Sequence, residues 1–422
     1  MALRDRKSIA SRFMNYIESL VEVIGHADRA GPLRDYCTGL MTASGRKSVE
    51  PMAAITAPER TAAQHQSLLH FVGQGAWSDE AVLAKVREMV LPRIERHGAI
   101  KAWIVDDTSF PKKGEHSVGV AHQYCGQLGK QSNCQVAVSL SLANGAGSLP
   151  VAYRLYLPKD WAEDDERRGK AGVPKEICFK TKPAIALEQI RWACEAGLPG
   201  DLVLVDAGYG HDSKLRTGIT ELGKVYVAGI QPQTLVSKPV VRRGRAAKKR
   251  RYDAADTISV KTLAMQLPKK AWHTIEWREG TNDRLSSRFF RARVHIGAND
   301  EPEKSPKEWL LIEWPEGENE PTKYWLSTLP PNMSFDDLVD AAKLRWRIER
   351  DYQELKQEVG LGHFEGRGWR GFHHHATLCI AAYGFLVSER EMIPPSESHS
   401  VGLFPQLTVP GGYRPRGSSI AA

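Results

Sequence analysis

The chain has 422 residues, with 58 Lys and Arg against 50 Asp and Glu for a formal charge of +8. That length accommodates two or three domains with cores of their own, and the charge balance favours a polyanionic partner. Six cysteines with no C-x-x-C pair indicate neither a zinc ribbon nor a disulfide framework, and the opening M-A-L-R-D-R-K-S lacks the apolar stretch of a signal peptide, so none is expected. The longest apolar run, 379–387, is too short to span a bilayer, so a cytoplasmic, nucleoid-associated protein is expected.

Residues 1–100 read as a helical domain. Apolar residues recur at Ile9, Phe13, Ile17 and Leu20, and Ser78 can cap a helix with Leu83, Val86, Val90 and Ile94 on one face. Such a domain is either a DNA-binding head or a buttress, and no helix-turn-helix pattern separates the two. At Ala102 the period changes. A-W-I-V-D-D-T-S-F-P is an apolar strand ending in acids, and the segments 134–143 and 150–158 alternate like further strands, suggesting a meander. A helix over 184–196 leads into D-L-V-L-V-D-A-G-Y-G at 201–210, a continuous apolar run ending in Asp and Gly, which is the pattern of a buried parallel strand. A helix over 213–222 and a strand over 224–230 complete a mixed α/β core spanning 101–231.

The composition shifts over 232–322, which reads as a β-rich basic insertion. The stretch 237–252 carries cations and no acid before its end, including Arg242, Arg243, Arg245, Lys248, Lys249, Arg250 and Arg251. This run is either a DNA-backbone contact or a solvated basic loop. The core resumes over 323–388 with the strand 323–329 and a Ser334-capped helix from Phe335 to about Gln357. Residues 389–422, rich in Pro, Gly and Ser, read as a flexible tail. No G-x-x-x-x-G-K-[ST] loop is present, so nothing suggests nucleotide use. Adjacent histidines at 373, 374 and 375 face different ways on a helix and are not expected to bind metal.

Three carboxylates stand out by position: Asp106 at the end of the first core strand, Asp206 at the end of the buried strand, and Glu349 on the late helix. Each alone has a bland reading, as a turn cap, a sheet-edge acid or one member of a surface ion-pair row. Together they form the oxygen set that two divalent cations need for phosphoryl transfer. Arg345 and Lys356 share the helix face of Glu349 at helical spacing.

These residues resemble the DDE transposases of bacterial insertion sequences whose third acid lies in a Y-x2-R-x3-E-x6-K signature. Arg345, Glu349 and Lys356 match it at the right spacing. D-D-T-S-F around Asp106 is similar to the D-x-T motif, and V-D-A-G-Y-G to the second motif. The resemblance implies an RNase H-like fold with an insertion between the second and third acids, and metal-dependent strand cleavage followed by 3′-hydroxyl transfer. It also implies two Mg²⁺ ions, replaceable by Mn²⁺, on Asp106, Asp206 and Glu349. Arg345 and Lys356 would hold phosphates, and a homodimer or higher multimer would pair double-stranded DNA ends. Aromatic stacking on a flipped base makes Trp325 a candidate. Two departures stand beside the match. The signature Tyr falls on Ala342, with Tyr352 nearby as a substitute, and Asp107 competes with Asp106 as first acid, although neighbours on a strand point to opposite faces.

Overall fold

Residues 8–43, 45–237, 257–277, 279, 284–297 and 306–392 are described in the computed structural model. The opening helices are α1 (Ile9–Val21), α2 (Ala30–Thr42), α3 (Val49–Thr56), α4 (Thr61–Gly73) and α5 (Asp79–Ile94). Strands β1 (Ala102–Pro111), β2 (Ala121–Cys125), β3 (Lys130–Ala143) and β4 (Ser148–Leu155) follow, then helices α6 (Lys159–Ala162), α7 (Asp165–Ala171) and α8 (Lys182–Glu195). Next come β5 (Leu202–Val205), α9 (Ala207–Gly210), α10 (Ser213–Glu221), β6 (Val225–Gly229), β7 (Leu235–Ser237), β8 (Thr257–Ser259) and α11 (Val260–Gln266). The chain continues through β9 (His273–Trp277), β10 (Leu285–Val294), β11 (Glu308–Trp314) and β12 (Lys323–Ser327) to α12 (Phe335–Lys343), α13 (Trp346–Gln357) and α14 (Trp369–Arg390).

The chain packs as two compact units. The first, Leu91–Gln353 with Arg367–Trp369, is built on one ten-stranded mixed sheet in the order β2-β3-β1-β5-β6-β12-β11-β10-β9, with β4 paired to β3. β1, β5 and β6 run parallel to one another, and α8 packs on β3 and α10 on β6. Strands buried on both faces need no polar alternation, which is why A-W-I-V and L-V-L-V read as unbroken apolar runs and are buried almost throughout. This is the mixed α/β sheet flanked by helices that the sequence led us to expect.

The strand pairings add detail to this picture. The three expected strands run as an antiparallel meander, β1 to β3 to β4, and the unexpected β2 pairs the far end of β3 along the same edge as β4. The segment 232–322 is β-rich, as expected, and most of its strands join the main sheet. β12 pairs antiparallel to β6, Trp325 opposite Gly229, so β12, β11, β10 and β9 extend the same sheet, and Leu310, Leu311 and Ile312 of β11 are fully buried. Only β7 and β8 form a separate ribbon among the described residues. The cations 242–251 and the tail from 393 onward lie outside the described residues.

The second unit comprises Met1–Val90, Glu354–Gly366 and Arg370–Ala422, so the expected boundary near residue 100 falls inside α5, and α14 belongs with the opening helices rather than with the sheet. The cause is apolar matching. Phe385 meets Phe13 edge-on at 5.0 Å, Tyr16 donates to the Ala381 carbonyl at 2.8 Å, and Gly384 leaves just enough room for Val86 and Val90. His374 and His375 behave as core residues. His374 stacks on Trp77 at 3.6 Å with its ring nitrogens on the Val72 and Trp77 carbonyls, and His375 bonds Tyr36 and the Gly360 carbonyl. Among the described residues no helix is long and apolar enough to cross a membrane.

Candidate functional site

Asp106 and Asp206 are brought together by strand pairing. β1 and β5 run parallel with Ala102 level with Leu202 and Ile104 level with Leu204. Continuing that register sets Asp106 level with Asp206, immediately past the last residue of β5. Asp206 is held there from two sides. Its carboxylate Oδ1 accepts the Tyr209 N–H at 3.0 Å as the N-cap of α9, and α9 lies directly on β6. A Cβ on Gly210 would stand 2.0 Å from the Gly229 carbonyl oxygen, and one on Gly229 would stand 2.7 Å from the Ala207 nitrogen. The two glycines are therefore required by close backbone approach.

β1 sends its two acids to opposite faces, as strand geometry demands. Asp107 pairs with Lys182 of α8 at 2.5 Å. Asp106 instead meets Arg345, whose Nη1 lies 2.7 Å from Oδ2, while Nη2 of the same guanidinium lies 2.6 Å from Glu349 Oε1. Of the two candidates for first acid, Asp106 is thus the one that shares a cation with Glu349. Asp106 is largely covered and Glu349 is mostly exposed, at 16 % and 63 % of side-chain surface. The first acid is therefore built into the sheet, whereas the third is presented to solvent.

The electrostatics follow. Burial pushes the Asp106 carboxyl up to about 7; the negative charges of Asp206 and Asp107 add to this and Arg345 opposes it. Burial works against the Arg345 charge, but Asp106, Glu349 and Asp206 together outweigh it and raise its pKa. All three expected acids therefore act on one guanidinium. Burial likewise raises the Tyr209 hydroxyl well above its ordinary value, with Asp107, Asp106, Tyr352 and Asp206 contributing.

Arg345 does not lie on the continuous helix that the sequence suggests. α12 ends at Lys343 and α13 begins at Trp346, with Arg345 in the turn between them. No Gly or Pro occurs in 335–357, so the break has a tertiary cause. Lys343 is drawn onto both carboxylate oxygens of Glu313 at 2.7 Å and over the Trp277 ring at 4.1 Å, while Arg345 is drawn onto Asp106. α13 is then fastened over β1's neighbours: Ser148 donates to Asp351 at 2.6 Å, and the Tyr352 hydroxyl bonds Ser139, the residue paired with Asp106 across β1 and β3.

The remaining candidates separate. Lys356 lies in the last turn of α13, half-buried, seven residues beyond Glu349 and so about 10 Å along the helix. Trp325 is 8 % exposed, in β12 within the sheet, and in this position has no free face for a base. Tyr352 is spent on Ser139 and does not replace the signature Tyr, while Ala342 is itself buried in α12. The Lys182 partner of Asp107 and the Lys343–Glu313 anchor carried no signal in the sequence.

The donor set of Asp106, Asp206 and Glu349 is hard oxygen with surplus negative charge, which suits Mg²⁺ or Mn²⁺. Among the described residues, however, no three acidic, His or Cys side chains stand close enough together to hold a metal ion. Arg345 bonds both Asp106 and Glu349, so a cation there would need the guanidinium to leave and the acids to draw closer together. A groove of about 770 Å³ lies at the other end of β1 and β5, lined by Lys101, Leu202, Trp277, Asp340, Lys343 and Trp346.

The family described as DDE superfamily endonuclease matches residues 19–284. That range includes Asp106 and Asp206 and stops short of Arg345, Glu349 and Lys356. A protein of Microchaete diplosiphon named "Probable transposase for insertion sequence element IS701" is 27 % identical over 187 residues, covering 44 % of this chain. The match spans 45 % of that relative's own length.

Proposed function

Because the chain belongs to the DDE superfamily of endonucleases, we propose that it is an insertion-sequence transposase that cleaves DNA at the element's ends and transfers the freed 3′-hydroxyl to target DNA by a cut-and-paste route. The observation that carries this reading is the single Arg345 guanidinium shared by Asp106 and Glu349, with Asp206 level with Asp106 on the adjacent strand. The family resemblance and the curated relative's name support the same direction.

Asp106, Asp206 and Glu349 are the ligands in this reading. Two divalent cations held there supply activation of the attacking water or hydroxyl and stabilisation of the leaving oxygen. The chain's own groups do the rest. The two strand-borne acids are fixed by sheet pairing and by the α9 cap, and Glu349 closes the site from the exposed face of α13. Arg345, once it leaves the acids, grips a phosphate bidentately, and Lys356 acts as a point charge further along the helix. The basic run that includes Arg242, Arg243, Arg245, Lys248, Lys249, Arg250 and Arg251 follows the DNA backbone, which makes binding fall steeply with salt. The working form is a homodimer or higher multimer on paired ends.

Incubation of the full chain with DNA carrying the element's ends in Mg²⁺ tests the reading. Wild type should leave 3′-hydroxyls at those ends and join them to target DNA, and Glu349→Ala should abolish both. Cleavage retained by Glu349→Ala contradicts the proposed site. Sequence-specific binding without cleavage by wild type would favour a non-catalytic DNA-binding protein derived from a transposase, and cleavage without joining would indicate another RNase H-like nuclease.

A further inference from the structure

Tyr209 carries an unsatisfied hydroxyl on the helix that follows Asp206. Its side chain is 3 % exposed and its phenolic oxygen has no hydrogen-bond partner, whereas Tyr352, the other buried phenol there, is satisfied by Ser139. A buried O–H without an acceptor is costly, and natural proteins tolerate few of them. The backbone of Tyr209 is already committed to the site, since its N–H donates to Asp206 Oδ1 at 3.0 Å. The acids whose charges act on its ring are Asp107, Asp106 and Asp206, and two of these are the strand-borne acids of the candidate site.

We propose that Tyr209 is a positioning residue of the acidic site, its hydroxyl donating to an oxygen of that site when a divalent cation is bound. The inference rests on the reading of Asp106, Asp206 and Glu349 as cation ligands. With Arg345 on Asp106, the positive charge and the donors that the carboxylate needs come from the guanidinium. When Arg345 swings aside, those donors leave with it. Ligating carboxylates are themselves held by outer hydrogen bonds, and a fixed donor sharpens both their direction and their affinity. Tyr209 sits on the four-residue helix that Asp206 caps, with little freedom because α9 sits on the β6 backbone.

The test uses the full chain as wild type, Tyr209→Phe and Asp106→Asn, with Mn²⁺ binding followed by calorimetry and thermal melting followed in EDTA. Tyr209→Phe should melt in EDTA at or above the wild-type temperature, because the deleted hydroxyl had no partner. It should bind Mn²⁺ about 10- to 100-fold more weakly at the site that Asp106→Asn abolishes. Unchanged Mn²⁺ affinity in Tyr209→Phe, or melting several degrees below wild type in EDTA, overturns the inference. Absence of any Asp106-dependent Mn²⁺ binding in wild type overturns the metal-site reading and this inference with it, whereas equal binding by wild type and Tyr209→Phe overturns only the latter.

Discussion

Arg345 contacts Asp106 and Glu349 at once, so it neutralises the acids where a cation would otherwise sit. Its observed contact with the acids and its expected one with a phosphate are mutually exclusive in geometry. Arg345→Ala should therefore tighten Mn²⁺ binding while lowering DNA cleavage on the order of 10²–10³-fold, the usual cost of losing a group that meets developing charge. Unchanged or weaker Mn²⁺ binding in that variant would contradict the competition. At this scale the sequence was informative. The D-D-T segment, the Asp closing a buried apolar strand and the Arg–Glu spacing each marked a residue that the fold brings near the same guanidinium. What it could not resolve was which of two adjacent acids faces α13. That depends on Lys182 taking Asp107, a pairing between residues 75 apart in the chain with no local pattern.

Between elements, long-range contacts override local propensity. Periodicity over 335–357 describes one helix, yet the buried Lys343–Glu313 pair, 9 % and 5 % exposed, and the Arg345–Asp106 pair break it into α12 and α13. Removing one partner of a buried pair strands a charge in the interior, so Glu313→Gln should cost about 3–5 kcal/mol of stability by urea unfolding. The double change Lys343→Met with Glu313→Leu should recover most of that loss. A single variant as stable as wild type would show that the pair does not anchor the junction. The α9–β6 contact gives a second test. Gly210→Ala places a methyl against the Gly229 carbonyl and should cost about 1–3 kcal/mol as overpacking, loosening the mount of Asp206. Wild-type stability in Gly210→Ala would contradict the close approach. Sheet continuation was likewise illegible in the sequence. The β-prone character of 273–327 is plain, but whether those strands form a separate insertion or extend the core sheet is decided by β12 pairing with β6, a contact that composition does not encode.

Two buried groups of the helical unit titrate with opposite sign. Burial lowers the His374 imidazole to about 4 against the opposing pull of the Val72 and Trp77 carbonyls, with Arg370 and His373 adding to the depression. Burial raises nearby Asp79 to about 7, opposed by Thr377 and Arg370. A histidine depressed in the folded state stabilises above its ordinary 6.5 and loses that stability as pH falls toward 4. A carboxyl raised in the folded state stabilises below its ordinary 3.8 and loses that stability as pH rises through 7. The two effects oppose each other over the same window. Measured against wild type, His374→Gln should therefore gain melting temperature as pH falls from 7 to 4, and Asp79→Asn should lose it from pH 6.5 to 4. Parallel profiles for the two variants would contradict the assignment.

Over the whole molecule, the partition was only half visible in the sequence. The opening helices announce themselves by period, but the allegiance of α14 to them rests on Phe385, Gly384 and Ala381 meeting Phe13, Val86 and Tyr16, contacts between opposite ends of the chain. The central claim is that Asp106, Asp206 and Glu349 form one cation site from which Arg345 withdraws. Anomalous diffraction from crystals of the full chain soaked in Mn²⁺ tests it most directly. The account predicts density between Asp106, Asp206 and Glu349 with the Arg345 guanidinium displaced from Asp106. Saturating Mn²⁺ that leaves Arg345 on both acids, with no density between them, would contradict it.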